Sequence, residues 1–274
     1  MAQSDIQIEP FFLESPRGSM FCIYFSPIKL AHKGSILYLH PFGEEMHKSR
    51  RIAALQARAF ASLGYAVLQI DLTGCGDSVG DFADASWSAW RNDARLAHAW
   101  LLAKTAQPIT LWGLRTGALL AVDLAQQLNN LQGLLLWQPG PDGGVFLTQF
   151  LRIKLASDML AEGKSKLGTK EMLASLEANQ SVEVGGNRLS PAMAREMGGV
   201  KLAAMHPVCP ITWLEVGTVN NELLGPASQR VAEAWRNTGA GIQSQTVVGD
   251  PFWATQEISE CPQLINATLA HLAA

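Results

Sequence analysis

The run Gly113-Leu114-Arg115-Thr116-Gly117 lies between a predicted strand over 109–112 and a predicted helix over 116–128. A strand that turns directly into a helix, with glycine two residues to either side of the turn's centre, pushes the central side chain out over the C-terminal edge of the sheet. Gly-x-Ser-x-Gly sequences present a nucleophilic serine in this way. Here the centre is Arg115, whose guanidinium only donates hydrogen bonds and has no lone pair for attack. The remaining chemistry would need a histidine after the last strand as base and an acid after the penultimate strand to orient it. The loop after the last predicted strand reads Gly249-Asp250-Pro251-Phe252-Trp253, with Asp250 near the place where an imidazole belongs. The histidines are His32, His40, His47, His98, His206 and His271; only His271 follows that strand, and it reads as a helix-end residue. Glu215 and Glu222 follow the penultimate strand and suit the acid position, but an acid without a base beside it orients nothing.

Other groups come into view at the same sheet edge. Thr116 should sit in the first turn of the helix, where a hydroxyl helps satisfy free backbone N–H groups. Cys75 lies in the glycine-rich loop Leu72-Thr73-Gly74-Cys75-Gly76-Asp77-Ser78, and without a nearby imidazole its thiolate fraction is small; Asp77 and Ser78 read as turn chemistry. His40 heads His40-Pro41-Phe42-Gly43, the loop that ordinarily supplies an oxyanion-hole N–H, so Phe42, Gly43 and Thr116 are the candidate oxyanion residues and Gly113, Arg115 and Gly117 the elbow. Arg115 stands at the positive N-terminus of a helix and must be paired. One account pairs it with Asp250, Glu44, Glu45 or Glu215. A second has it capture a carboxylate or phosphate together with the helix N-terminus. A third keeps a hydrolase that recruits Cys75, His40 or an acid-activated water. Glu44 and Glu45 read as a first-turn pair, Lys48, Arg50 and Arg51 as a solvated face, and Trp137 and Trp253 as residues able to line the pocket.

Positioning these residues requires a strand-helix alternation. Apolar runs at 20–25 and 35–39, helical spacing over 47–63, a strand over 65–71, a helix over 85–103, the elbow strand and helix, and a strand over 133–137 follow one another after an N-terminal strand. Right-handed crossovers turn such a series into a mostly parallel sheet covered on both faces. From about 138 to 206 the alternation stops and the sequence turns helical and more polar, as an inserted cap would. It resumes with strands over 211–216 and 244–248 and helices over 227–237 and 262–272. Apolar residues make up 48% of the 274 and charged residues 16%, enough for a large core, and the net charge of −3 gives no electrostatic reason to expect nucleic acid as a partner. The N-terminus lacks a signal-peptide pattern and no apolar stretch reaches the roughly 18 residues of a bilayer span, which points to the cytoplasm. The four cysteines are widely separated and no histidine stands at metal-ligand spacing, so neither a metal nor a cofactor is expected.

His40 to Met46 followed by Lys48-Ser49-Arg50-Arg51, the run Leu68 to Ser78, Trp112 to Gly117, Leu136-Trp137-Gln138-Pro139 and Gly249 to Trp253 together resemble the exosortase (PEP-CTERM) system-associated hydrolases, second type, across almost the whole chain. The resemblance implies an α/β-hydrolase fold in three layers, with a core in residues 1–137 and 207–274 and a helical cap in 138–206. It also implies a place among bacterial protein-sorting and extracellular-polysaccharide functions, with a protein of the exosortase system as a partner, but it does not supply the substrate, for which an ester, thioester or amide is the expectation if the chain is a hydrolase. The residues themselves leave two readings open: a hydrolase with a non-standard site, or a catalytically inactive protein of that fold that binds an acyl or anionic ligand or a partner.

Overall fold

The computed structural model describes residues 5–129, 131–162, 168–219 and 224–273. The chain begins with strands β1 (Ile6–Ser15), β2 (Gly18–Pro27) and β3 (Gly34–Leu39), then α1 (Glu44–Ser62), β4 (Tyr65–Ile70), α2 (Trp87–Thr105), β5 (Ile109–Leu114), α3 (Thr116–Ala125) and β6 (Gly133–Trp137). An excursion follows, made of α4 (Gly143–Glu162), α5 (Thr169–Glu177), a hairpin of β7 (Val182–Val184) and β8 (Asn187–Leu189), and α6 (Pro191–Gly198). The alternation then resumes with β9 (Ile211–Gly217), α7 (Pro226–Asn237), β10 (Ile242–Val248) and α8 (Pro262–Ala273). Eight strands form one sheet in the order β1-β2-β4-β3-β5-β6-β9-β10. The β1–β2 hairpin is antiparallel and joins β4 antiparallel, whereas every pairing from β4 to β10 is parallel.

The central strands explain why they read as unbroken apolar runs. All six residues of β3 and of β5, and all five of β6, are buried, as parallel strands covered on both faces must be. On one face α1 and α8 pack Ile52, Phe60 and Leu264 against Trp112, Trp137 and Phe252. On the other, α2, α3 and α7 pack Trp90, Leu119 and Trp235 against Leu37, Leu111 and Trp213. The second core runs on into the excursion, where Phe146, Leu151, Met172, Met193 and Met197 are buried in the same cluster. The excursion is tied at its base by the bond from Gly143 N–H to Val200 O at 2.9 Å. The hairpin β7–β8 departs from the helical expectation; Gly185 and Gly186, both at positive φ, make its turn. Among the described residues no helix is long and apolar enough to cross a membrane.

The elbow sits where β5 meets α3. A side chain at Gly113 would run into Gly117 O and the backbone of Ala118, and one at Gly117 would run into the backbone oxygens of Leu39 and His40. The obstacles are backbone, so no rotamer change relieves them. Gly117→Ala is therefore expected to destabilise the fold by more than about 4 kcal/mol, the range of severe core damage. Urea unfolding of the variant, or its recovery only as aggregate, checks this; a loss under about 1 kcal/mol would contradict the close approach.

Candidate functional site

Arg115 is the N-cap of α3, with φ 57° and ψ −116°, a conformation that residues other than glycine adopt only when their surroundings enforce it. Its N–H donates to Trp137 O at 2.9 Å, and its carbonyl accepts from Ala118 N–H at 3.0 Å, so the turn is held from both β6 and α3. The side chain is thereby fixed above the sheet edge. Its Nε donates to both carboxylate oxygens of Glu45 at 3.2 Å, and its Nη2 donates to Glu45 Oε1 at 3.0 Å and to Gln149 Oε1 at 2.9 Å. The guanidinium also lies 4.6 Å from the Phe146 ring centre and 5.3 Å from that of Trp253. Of the four acids considered from the sequence, Glu45 is the partner. The reason is topological: β3 neighbours β5, the loop from His40 turns at Gly43 (φ 56°), and the first turn of α1 falls beside the elbow. Both helix N-termini there favour a carboxylate.

A cavity of about 370 Å³ opens next to this pair. Phe42, Phe146, Phe150, Ile153 and Trp253 form its apolar walls; Glu44, Glu45, Lys48, Thr116 and Gln149 are its polar lining. Arg115 itself lies behind its own partners, outside the lining. Thr116 is 1% exposed and its Oγ1 has no hydrogen-bond partner, so an unanswered hydroxyl looks into the cavity. The N–H groups of Phe42 and Thr116 donate to no atom among the described residues. Gly43, the third residue assigned to the oxyanion loop, caps α1 and accepts from Met46 N–H. At the rim, Glu44 accepts from Asn187 Nδ2 at 3.1 Å and Lys48 donates to Thr255 O at 2.7 Å.

The other residues singled out in the sequence lie elsewhere. His40 is buried with both ring nitrogens engaged: Nε2 accepts from Leu72 N–H at 3.1 Å and Nδ1 donates to Pro41 O at 2.8 Å. A backbone N–H can only donate and a carbonyl only accept, so these partners fix the neutral Nδ1–H tautomer. Burial pushes its pKa down to about 4. Cys75 is buried outside the cavity lining, and burial pushes its thiol up, away from the thiolate. Glu215 lies within β9, where its carboxylate accepts from Trp213 Nε1 at 3.2 Å and Gly225 N–H at 3.0 Å. Glu222 lies outside the described residues. Asp250 is exposed and does not reach Arg115; Trp253, three residues on, does. Trp137 is fully buried with Nε1 on Thr268 Oγ1 at 3.0 Å, while Trp253 lines the cavity. Gln149 and Phe146 were not picked out as partners of Arg115, because nothing in their spacing says which face of α4 turns toward the elbow.

No family model and no curated protein sequence matches this chain. Solved structures do. A carboxyl esterase from Bacillus coagulans, in complex with glycerol, is 14% identical with a TM-score of 0.67 over 97% of this chain and 98% of its own. Est1E from Butyrivibrio proteoclasticus, with ferulic acid bound, is 15% identical with a TM-score of 0.68 over 96% of this chain and 100% of its own. DcsB, in complex with its substrate analogue, is 12% identical with a TM-score of 0.65. At such identities the likeness is one of architecture, and with the strand order above it establishes the α/β-hydrolase fold.

Arg115→Ala removes the partner of a largely buried carboxylate together with two ring contacts, and is expected to cost about 2–4 kcal/mol in urea unfolding at neutral pH. Burial raises the Glu45 pKa, although Arg115 pulls it back down. The folded value thus lies above the unfolded one: the contribution of Glu45 is complete below about 4.5 and is lost as pH rises through the folded value. Without Arg115 that loss grows, so the Tm gap between variant and parent should widen with rising pH and narrow on acidification; a gap independent of pH would contradict the pair. For His40 the sign is opposite. Its folded pKa is depressed, so its contribution is present above 6.5 and fades as pH falls toward about 4. Heteronuclear NMR of the imidazole should show the Nδ1–H tautomer persisting at pH 6, and an imidazolium there would refute the assignment.

Proposed function

We propose that this protein is a member of the exosortase-associated class of α/β-hydrolase-fold proteins that binds an acyl compound at the elbow and does not turn it over by serine-type chemistry. The observation that carries the proposal is the occupation of the elbow. The side chain presented there is a guanidinium clamped by Glu45, and an indole ring lies against it from the loop after the last strand, where a base would have to stand. Among the described residues no serine, cysteine or histidine lines the cavity. What persists is the means of holding an acyl group. The free N–H groups of Phe42 and Thr116 and the Thr116 hydroxyl can receive a carbonyl oxygen, while Phe146, Phe150, Ile153 and Trp253 cover an apolar tail. The esterases that share the architecture suggest an ester, thioester or amide as the compound held. The exosortase pathway and a cytoplasmic location rest on the resemblance of the motifs and belong to the same proposal.

One observation favours a second reading, a hydrolase working through an activated water. Glu45 lines the cavity and burial raises its pKa, the direction that suits a general base. The two readings separate in one experiment. Purified protein is mixed with a panel of short and medium acyl esters and thioesters, and in parallel with a fluorophosphonate probe, while the part of the intrinsic tryptophan fluorescence that is lost in Trp253→Phe reports occupancy. The expected result is saturable quenching by the esters that is weakened about tenfold in Thr116→Val, no acyl release above the buffer rate, and no covalent labelling. Turnover abolished by Glu45→Gln would replace this reading with the second, and labelling of any side chain would overturn the absence of a nucleophile.

A further inference from the structure

A second cavity, of about 240 Å³, lies between α1 and the sheet and shares no lining residue with the elbow cavity. Its floor follows from strand register. Tyr38 of β3 pairs with Gln69 of β4, and Gln69 pairs with Ile23 of β2, so the three side chains stand abreast on one face. Met46, Arg50 and Ala53 of α1 form the roof. Most of this surface is apolar, but Tyr38 Oη and Gln69 Nε2 are buried there without a hydrogen-bond partner. Tyr38 is 5% exposed, and burial raises its pKa, so it keeps its proton. Ser49 is near Tyr38 and gives its own hydrogen to the carbonyls of Glu45 and Met46, but no atom stands in hydrogen-bonding position to accept the proton of Tyr38 Oη. A buried polar group left unanswered is destabilising, and two facing one cavity call for a common partner.

The chemistry of that partner is set by what is free. Arg50 Nη2 donates to Asp71 Oδ2 at 2.7 Å, whereas its Nε and Nη1 donate to nothing among the described residues. Its side chain is 40% exposed and forms the mouth of the cavity. Asp71 Oδ2 is taken by Arg50 and by Asp77 N–H, and both His40 nitrogens are engaged. The Tyr38 hydroxyl, the Gln69 amide and the remaining guanidinium N–H groups are thus hydrogen-bond donors around a pocket whose other walls are mostly apolar (Phe21, Ile23, Met46, Ala53, Ala54 and Ile70), with the His40 ring engaged and the Asp71 charge answered by Arg50. We propose that this cavity binds a short-chain monocarboxylate, with its oxygens on Tyr38, Gln69 and Arg50 and its alkyl end against Ile23, Met46 and Ala53. Ordered water would satisfy the same donors, but water gains nothing from the apolar walls and brings no charge to Arg50. The proposal is independent of what occupies the elbow.

Titration of the full chain with sodium butyrate, followed by calorimetry and by thermal unfolding, tests it. Saturable binding with a rise in Tm is expected, and butyramide and 1-butanol should bind at least about tenfold more weakly. Tyr38→Phe and Gln69→Leu keep the shape of the site and remove its orphaned groups. Without butyrate they should be as stable as the parent or more so, and with it about tenfold weaker in binding. Thr116→Val, in the other cavity, should leave butyrate binding unchanged. Binding lost in Thr116→Val and retained in the Tyr38 and Gln69 variants would place the carboxylate at the elbow and overturn the proposal. So would the absence of saturable binding up to about 100 mM, which would leave the cavity to water alone.

Discussion

A guanidinium held at the tip of a strand-to-helix turn must have its charge answered on the spot, and the answer given to Arg115 organises everything around it. The turn lies at the N-terminus of α3, an electropositive place that makes an unpaired cation costly. Glu45 answers it from the N-terminus of α1, where a carboxylate is favoured for the same reason. The flat faces of the cation are then taken by Phe146 and Trp253, and one of its remaining donors by Gln149. One side chain therefore joins α1, α4 and the loop after β10. In a serine hydrolase the elbow meets the loop after the last strand through a proton-transfer chain; here the two meet through the contact of the Arg115 guanidinium with the Trp253 ring.

The backbone of the elbow is held in a strained conformation around an arginine. A residue with a side chain sits at φ 57° between two glycines that backbone contacts forbid to be anything else. Such strain persists only where surrounding structure enforces it. At Arg115 the backbone bonds to Trp137 and Ala118 enforce it from below and the Glu45 pair from above. The same geometry leaves the Phe42 and Thr116 amides without an acceptor among the described residues.

The fold was legible because its centre is simple. Strands buried on both faces are continuous apolar runs, and each is followed by a helix of clear periodicity, so strand order and crossovers leave little freedom. The excursion was less legible. Three-residue strands carry no usable periodicity, and only the Gly185-Gly186 pair between Val184 and Asn187 hinted at a hairpin. Within the site, the sequence showed that Arg115 needed an acid but offered four at similar topological distance. The choice is made by local geometry: Asp250 and Phe252 close a tight turn, with Phe252 N–H on Asp250 O at 2.8 Å, that leaves the carboxylate in solvent and the Trp253 indole inside. His40 illustrates the opposite limit. Its position in the motif suggested that backbone mattered more than ring, and no pattern in the residues could show that the ring accepts a hydrogen bond from Leu72, thirty-two residues away.

Turnover and binding diverge at this site over the fate of a proton. A serine attacks only if a base takes its hydrogen and returns it to the leaving group, which demands a group that changes charge readily within reach of both. Glu45 lies on the cavity lining, and two effects act on it in opposition: burial raises its pKa and Arg115 lowers it. The cation that could make Glu45 a stable anion also holds both its oxygens, so a water taken up by Glu45 must compete with three hydrogen bonds from the guanidinium. The pair that neutralises the elbow thereby restrains Glu45 as a base.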